Sequence, residues 1–84
     1  MKVVRYFSAP WCAPCKQLRS LVEKLCVDGG LVFEFHNIEQ APDFAAKNNV
    51  RGVPTIDLFR DGSLVDRINP GASWRQIRER VEGL

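Results

Sequence analysis

The chain has 84 residues, of which 45% are hydrophobic and 26% are charged, and its formal net charge is +2 at pH 7. This length allows one domain over residues 1–84, and the ordinary composition excludes a disordered or fibrous protein. The interspersed charges indicate no nucleic-acid-binding stripe, and no segment approaches the ~20 apolar residues of a membrane span.

The first predicted elements are a strand and a long helix. Residues 3 to 8 form a β-rich run with apolar side chains on both faces, which predicts a central strand covered by helices on both sides. Pro10 ends it, and Pro14 is tolerated in the first turn of a helix that runs to about Val27. The three-and-four spacing of the apolar positions predicts a buried stripe, which comprises Leu18, Leu21, Val22, Leu25 and Cys26.

A second strand and a short helix follow. Over residues 31 to 38, Leu31, Phe33 and Phe35 alternate with more polar positions, which predicts a strand with one strongly apolar face. A short helix is expected from about Pro42 to Lys47. The two strands, joined by the first helix, should be parallel with a right-handed crossover.

The last third of the chain predicts a hairpin and a final helix. Asp61-Gly62 separates the apolar runs 55–60 and 64–68 and accepts the positive φ of a tight turn. Ser73, with Gln76 three positions later, indicates a capping box that opens a helix through about residue 82. Its inner face should carry Trp74, Ile77 and Val81.

The predicted order is therefore βαβαββα. The hairpin should add antiparallel strands to the same sheet as the parallel pair. We expect an α/β fold with a four-stranded mixed sheet flanked by three helices.

The motif that carries chemistry is Cys12-Ala13-Pro14-Cys15, preceded by Trp11. Two cysteines with this spacing at the start of a helix can close a disulfide across one turn, and the helix N-terminus stabilises a thiolate on the first. The second sulfur makes the pair a reversible two-electron switch. A CxxC alone is shared with zinc ribbons and haem sites, so a metal-holding protein and a merely packed cysteine pair are alternatives.

Five segments in succession match the signatures of one family. They are Trp11-Cys12-Ala13-Pro14-Cys15, Asn37-Ile38-Glu39-Gln40, Val50-Arg51-Gly52-Val53-Pro54-Thr55, Leu58-Phe59-Arg60-Asp61-Gly62 and Gly71-Ala72. In that order they resemble thioredoxins over nearly the whole chain. The strand and helix that a full-length thioredoxin carries before its first central strand have no counterpart here, so the resemblance implies a minimal, glutaredoxin-sized thioredoxin-like fold.

The resemblance also implies roles for individual residues. Cys12 would be the nucleophile and Cys15 the resolving thiol, and the bond before Pro54 would be cis; a trans Pro54 that merely starts a strand is the alternative. Residues implied to bind substrate are Trp11, Val53, Pro54, Gly71 and Ala72. Residues implied to tune the site are Ala13, Pro14 and Tyr6.

Two positions depart from the family pattern. Thioredoxins usually carry a buried acid six residues before the first cysteine and a lysine on the neighbouring strand, and here these positions are Tyr6 and Phe35. The usual proton acceptor is therefore absent. The proton of Cys15 would have to go to water, to the leaving thiolate or through the Tyr6 hydroxyl, and we expect Tyr6 to tune the site only modestly.

The remaining cysteine lies too far along the helix to join the pair. Cys26 follows Cys15 at a distance of roughly 16 Å, which excludes a disulfide between them and a zinc site that also uses Cys12 and His36. We expect Cys26 to be a small buried hydrophobe and His36 a surface histidine. The acids Glu39, Asp43, Asp57 and Asp61 are scattered and indicate no acid-base hydrolysis.

These observations predict a protein-disulfide reductase with a reversible Cys12–Cys15 pair and no bound cofactor or metal. We expect a monomer that acts on disulfide-containing proteins, takes electrons from a thioredoxin-reductase-type donor and has no nucleic-acid or membrane partner. The N-terminus lacks the apolar run of a secretory signal, and the odd number of cysteines fits the cytoplasm. The alternatives are a glutaredoxin-like, glutathione-dependent oxidoreductase and a non-catalytic binding module of the same fold.

Overall fold

The computed structural model describes all 84 residues and has the predicted element order βαβαββα. The elements are β1 (Lys2–Ser8), α1 (Ala13–Gly29), β2 (Val32–Asn37), α2 (Pro42–Lys47), β3 (Thr55–Arg60), β4 (Ser63–Ile68) and α3 (Trp74–Glu82). The α/β class and the number of elements are confirmed. None of the three helices combines the length and the apolar content that a lipid bilayer requires of a spanning segment.

The four strands form one mixed sheet in the order β2-β1-β3-β4. β1 is central, as predicted: it pairs in parallel with β2 and antiparallel with β3. β3 and β4 form the predicted hairpin, with an irregularity in the register between Leu58 and Phe59. The turn residues Asp61 and Gly62 adopt φ values of 51° and 84°, which is the left-handed backbone that this turn requires.

The main core lies between the sheet and the helices α1 and α3. The capping box at the start of α3 is formed as predicted, since Gln76 donates its backbone N–H to the Ser73 hydroxyl and its side chain accepts the Ser73 N–H. Trp74 is half-buried and packs on this core. The fully buried members of the cluster are Val4, Tyr6, Val22, Cys26, Ile56, Leu58, Ile68, Ile77, Val81 and Leu84.

One prediction about the core was wrong. Leu21 was expected in the buried stripe of α1, but 43% of it is exposed, because it lies about 100° around the helix from the buried Val22. Phe35 lies against Tyr6, as Phe33 does, but 37% of it is exposed, because β2 is an edge strand. The guanidinium of Arg19 covers this ring, with Cζ 3.6 Å from its centroid.

The opposite face of the sheet is covered by α2. The ring of Phe44 lies 6.0 Å from Phe7 and 4.8 Å from His36, measured between centroids. Helices therefore cover both faces, as predicted. His36 is partly buried between these rings and is hydrogen-bonded to Glu34, so the predicted surface histidine is only partly exposed.

Candidate active site

Cys12 and Cys15 form a disulfide at the start of α1, with their Cα atoms 5.3 Å apart. Cys12 is the N-cap residue and has an extended backbone, whereas Cys15 already lies in the first helical turn. Pro14 fits between them because the first turn has no amide partner to lose. The local sequence thus places one sulfur atom at the N-cap of α1 and the other in its first turn.

The two sulfurs differ in exposure and in hydrogen bonding. Cys12 retains 7% exposure, whereas Cys15 is fully buried. The Cys12 Sγ accepts a hydrogen bond from the backbone N–H of Cys15 at 3.3 Å, and the first turn of α1 carries no acidic side chain. After reduction, this N–H and the helix N-terminus favour a thiolate on Cys12.

An apolar groove of about 270 Å³ opens beside Cys12. Its lining includes Val53, Pro54, Gly71 and Ala72, so it brings together four of the five residues expected to bind substrate. Trp11 does not line the groove, and 67% of it is exposed.

The backbone around the groove is suited to a second chain. The Val53–Pro54 peptide bond is cis, and neither the N–H nor the C=O of Val53 is hydrogen-bonded within the protein. Gly71 has φ of +99°, and a Cβ there would meet no atom within 4 Å, so the space beside it is open. An extended peptide could therefore reach the Val53 main chain from this side.

Tyr6 occupies the position at which thioredoxins usually carry a buried acid. Its hydroxyl is buried and donates a hydrogen bond to the main-chain carbonyl of Cys15 at 2.7 Å. Burial raises the pKa of Tyr6 to about 12, against a smaller lowering by the charge of Arg19. At neutral pH the phenol therefore keeps its proton and donates it in the hydrogen bond to the backbone. The structure thus gives no support to a transfer of the Cys15 proton through the Tyr6 hydroxyl.

Phe35 and Arg19 complete this environment. The rings of Tyr6 and Phe35 stack at a centroid distance of 6.3 Å, and the Arg19 guanidinium lies on Phe35. The position of the expected lysine is thus aromatic, and the cation beside it comes from α1. The two cysteines of the motif also belong to a small apolar cluster, in which Ile38 and Val53 pack against Ala9, Cys12 and Cys15.

Cys26 is a free thiol and is fully buried in the main core. Burial raises its pKa to about 11, and the nearby charge of Glu23 adds to the effect. A thiol in this state is a poor nucleophile, which agrees with the expected role of a small hydrophobe. No three His, Cys, Asp or Glu side chains converge as a metal site requires.

The sequence reasoning missed a second polar cluster close to the groove. It treated Asp57 as one of several scattered acids, but Asp57 is only 1% exposed and pairs with Arg67 across the hairpin. A signal was available: Asp57 interrupts the apolar run of β3, and Arg67 is its register partner on β4. A charge in a buried strand calls for such a partner.

Comparison with known proteins gives one consistent family. The family model described as Thioredoxin matches residues 1–82. The chain is 36% identical over 77 residues to Thioredoxin 1 of Chlorobaculum tepidum, covering 89% of this chain and 76% of the relative. It is 32% identical over 83 residues to Thioredoxin of Gallus gallus, covering 98% and 78%. Chloroplastic Thioredoxin M4 of Arabidopsis thaliana is also similar, at 36% identity over 89% of this chain. The match spans only 39% of the length of that relative.

A solved structure agrees with this result. The oxidised form of mitochondrial thioredoxin 3 from Saccharomyces cerevisiae superposes with a TM-score of 0.88 at 31% identity. The match covers 99% of this chain and 78% of the yeast chain.

Proposed function

This chain belongs to the thioredoxin family, so its Cys12–Cys15 pair is the redox centre of a thiol–disulfide oxidoreductase, and we propose that the protein reduces disulfide bonds in other proteins. The observation that carries the proposal is the position of Cys12. It caps a helix N-terminus and also lines an apolar groove whose wall, at Val53, offers an unpaired main chain.

The reaction starts from the reduced pair. The Cys12 thiolate attacks one sulfur of a substrate disulfide, forms a mixed disulfide and displaces the first substrate thiolate. Cys15 then loses its proton and attacks the Cys12 sulfur, which closes the Cys12–Cys15 disulfide and displaces the second substrate thiolate. Two electrons and two protons have then passed to the substrate, whose two sulfurs leave as thiols.

The different surroundings of the two sulfurs support this order of events. Cys12 retains access to solvent and accepts a backbone N–H, so it is the sulfur that a substrate can reach. Cys15 is fully buried and is bonded to the Cys12 sulfur, so a substrate cannot reach it directly. With Tyr6 hydrogen-bonded to the backbone, the proton of Cys15 goes to the departing substrate thiolate or to water.

The other site residues have supporting roles in this proposal. Val53 pairs its main chain with an extended substrate segment, while Pro54, Gly71 and Ala72 shape the groove, and Trp11 contacts the substrate outside it. Ala13, Pro14 and Tyr6 tune the reactivity of the pair through the geometry of the first helical turn.

The cellular setting is part of the proposal. We assign the protein to the cytoplasm as a monomer that contributes to electron transport and redox homeostasis. The free thiol of Cys26 fits a reducing compartment. Similar proteins also carry chloroplastic and mitochondrial names, so the compartment must be established by fractionation of cells.

The electron donor decides between thioredoxin-type and glutaredoxin-type function. Oxidised protein is incubated with NADPH and thioredoxin reductase, or with glutathione and glutathione reductase, and the reduction of insulin disulfides is followed, with Cys12→Ser as the inactive control. We expect turnover with thioredoxin reductase. Turnover with glutathione alone would establish the glutaredoxin-like alternative, and turnover with neither donor, together with slow alkylation of Cys12, would establish a binding module.

A further inference from the structure

The most deeply buried ion pair of the protein joins Asp57 on β3 to Arg67 on β4. The Asp57 side chain is 1% exposed, and that of Arg67 is 23% exposed. Nε and Nη2 of Arg67 donate to the two carboxylate oxygens at 2.6 and 2.7 Å. This two-pronged contact fixes the plane of the guanidinium.

The same guanidinium also reaches beyond the sheet. Nη2 donates to the carbonyl of Asn48 at 2.6 Å, and Nη1 donates to the carbonyl of Asn49 at 3.2 Å. These two residues follow α2 directly and begin the segment 48–54, which ends at the cis bond before Pro54. Arg67 thus ties the hairpin to the start of the segment that carries Val53.

The end of the segment is fixed by a second contact. The Thr55 hydroxyl donates to the carbonyl of Gly52 at 2.6 Å. A Cβ on Gly52 would lie 3.2 Å from the Cγ of Pro70, so the segment also runs close to the residue that precedes Gly71, which lines the groove. A shift of the segment would therefore change the groove itself.

A purely structural role does not explain the choice of these residues. A buried ion pair is often no more stabilising than apolar side chains of similar volume, so an apolar cross-strand pair could serve the sheet equally well. An apolar pair, however, lacks the N–H groups of a guanidinium, which donate to a carboxylate and to two main-chain carbonyls at once.

We propose that Asp57 and Arg67 are positioning residues for substrate binding, which hold the segment 48–54 so that the main chain of Val53 faces a substrate bound at Cys12. This inference rests on the proposed reduction of protein disulfides. Asp57 orients the guanidinium, and Arg67 holds the segment through its hydrogen bonds to the carbonyls of Asn48 and Asn49. Neither side chain touches the sulfurs, so the intrinsic reactivity of Cys12 does not depend on them.

The test compares a protein disulfide with a small aryl disulfide. Pre-reduced protein is mixed with insulin or with dithiobisnitrobenzoate, and the two second-order rate constants are measured. In the double variant Asp57→Leu/Arg67→Met we expect the rate with insulin to fall about tenfold, which corresponds to ~1.4 kcal/mol, while the rate with the aryl disulfide is unchanged. The small reagent does not need the main chain of Val53.

The matched control is the other two-pronged pair of the protein, which joins Asp66 on β4 to Arg80 on α3. Its donor–acceptor distances are 2.8 and 2.6 Å, and its third contact is the carbonyl of Arg67 and not the segment 48–54. The variant Asp66→Leu/Arg80→Met should leave both rates unchanged.

A further variant protects the test against loss of folding. Arg67→Lys keeps a positive charge opposite Asp57, but its three N–H groups share one nitrogen and cannot reproduce the four hydrogen bonds of the guanidinium, so it should show the same selective loss. An equal loss with both disulfides, or no loss in folded variants, would overturn the positioning role. If the wild-type protein itself fails to reduce insulin, the proposed function falls and the positioning role falls with it.

Discussion

The hydroxyl of Tyr6 donates its hydrogen bond to the main-chain carbonyl of Cys15 and so contacts the backbone of the redox pair and not its sulfur atoms. Thioredoxins usually place a carboxylate at this position, which can accept a proton. A phenol with a pKa of about 12 cannot do so at neutral pH. Tyr6 therefore supports the helix that carries the pair, and proton transfer is left to the substrate and to water.

This contact leads to a prediction for Tyr6→Phe. The substitution removes the hydroxyl and leaves the ring, so the thiolate pKa of Cys12 should move by less than about one unit, or ~1.4 kcal/mol. The free energy of unfolding should fall by about 1 kcal/mol, because a buried hydrogen bond is lost. The pKa is measured by thiolate absorbance in a Cys26→Ala background, so that only the pair contributes. A larger pKa shift would show that the hydroxyl acts on the sulfur.

The difference in burial between the two cysteines predicts which variant traps a substrate. Reduced Cys15→Ser protein should accumulate a mixed disulfide with insulin, because Cys12 can attack but no second thiolate can release the product. Cys12→Ser should form no adduct, since Cys15 is fully buried. Mass spectrometry of the intact protein distinguishes these outcomes, with Cys26→Ala as the control that retains turnover. An adduct through Cys15 in the Cys12→Ser protein would reverse the assignment of roles.

The parts of the fold that depend on local chemistry could be predicted from the sequence. Asp61-Gly62 specifies a turn by itself, and Ser73 with Gln76 specifies a helix start by itself, because each signal acts within four residues. Leu21 and Phe35 could not be placed in this way. Their exposure depends on the angle at which α1 lies on the sheet and on the edge position of β2, which are set by the whole assembly.

In the candidate site, too, local features could be predicted from the sequence and long-range contacts could not. The spacing of Cys12 and Cys15 on one helix end predicts their disulfide, because only one turn separates them. The contact of Arg67 with Asn48 crosses from the hairpin to the end of α2, 19 residues apart in the chain. No local pattern indicates it, and only the charge of Asp57 within an apolar strand hints that a partner is needed.

The exposed ion pair between Asp66 and Arg80 predicts a specific dependence of stability on pH. The side-chain hydrogen bond from Arg80 holds the pKa of Asp66 below its usual range, although partial burial opposes this effect. Since the pKa is depressed in the folded state, the stabilisation is present above the unfolded pKa of about 3.9 and is lost as the pH falls through the folded pKa.

Melting temperatures of the wild-type protein and of Asp66→Asn should therefore differ by a constant amount above about pH 5. The difference should shrink as the pH falls below about 4, where Asp66 becomes protonated first in the unfolded state and then, at lower pH, in the folded state. Arg80→Gln removes the partner and should show the same convergence with the wild-type protein. A difference that persists at acid pH would mean that Asp66 stabilises the fold through packing and not through its charge.

The hairpin turn gives a prediction about folding stability that is independent of the redox chemistry. Gly62 has φ of +84°, and a Cβ there would meet no atom within 4 Å, so the cost of Gly62→Ala comes from the backbone and not from a clash. A left-handed conformation costs a residue with a Cβ about 1 to 2 kcal/mol, and the free energy of unfolding should fall by about this amount. Gly62→Asn should lose less, because asparagine tolerates this conformation.

Gly29, at the end of α1, is the matched control. A Cβ at this position would lie 3.7 Å from the Cγ of Leu31, an ordinary contact, and the backbone is helical. Gly29→Ala should therefore stabilise the protein by about 0.5 to 1 kcal/mol, because alanine loses less backbone entropy in a helix. Urea unfolding of both variants measures the two changes. The two substitutions add the same methyl group and differ mainly in the backbone conformation at the substituted residue. If both variants gained stability, or both lost it, the backbone angle φ would not decide the effect.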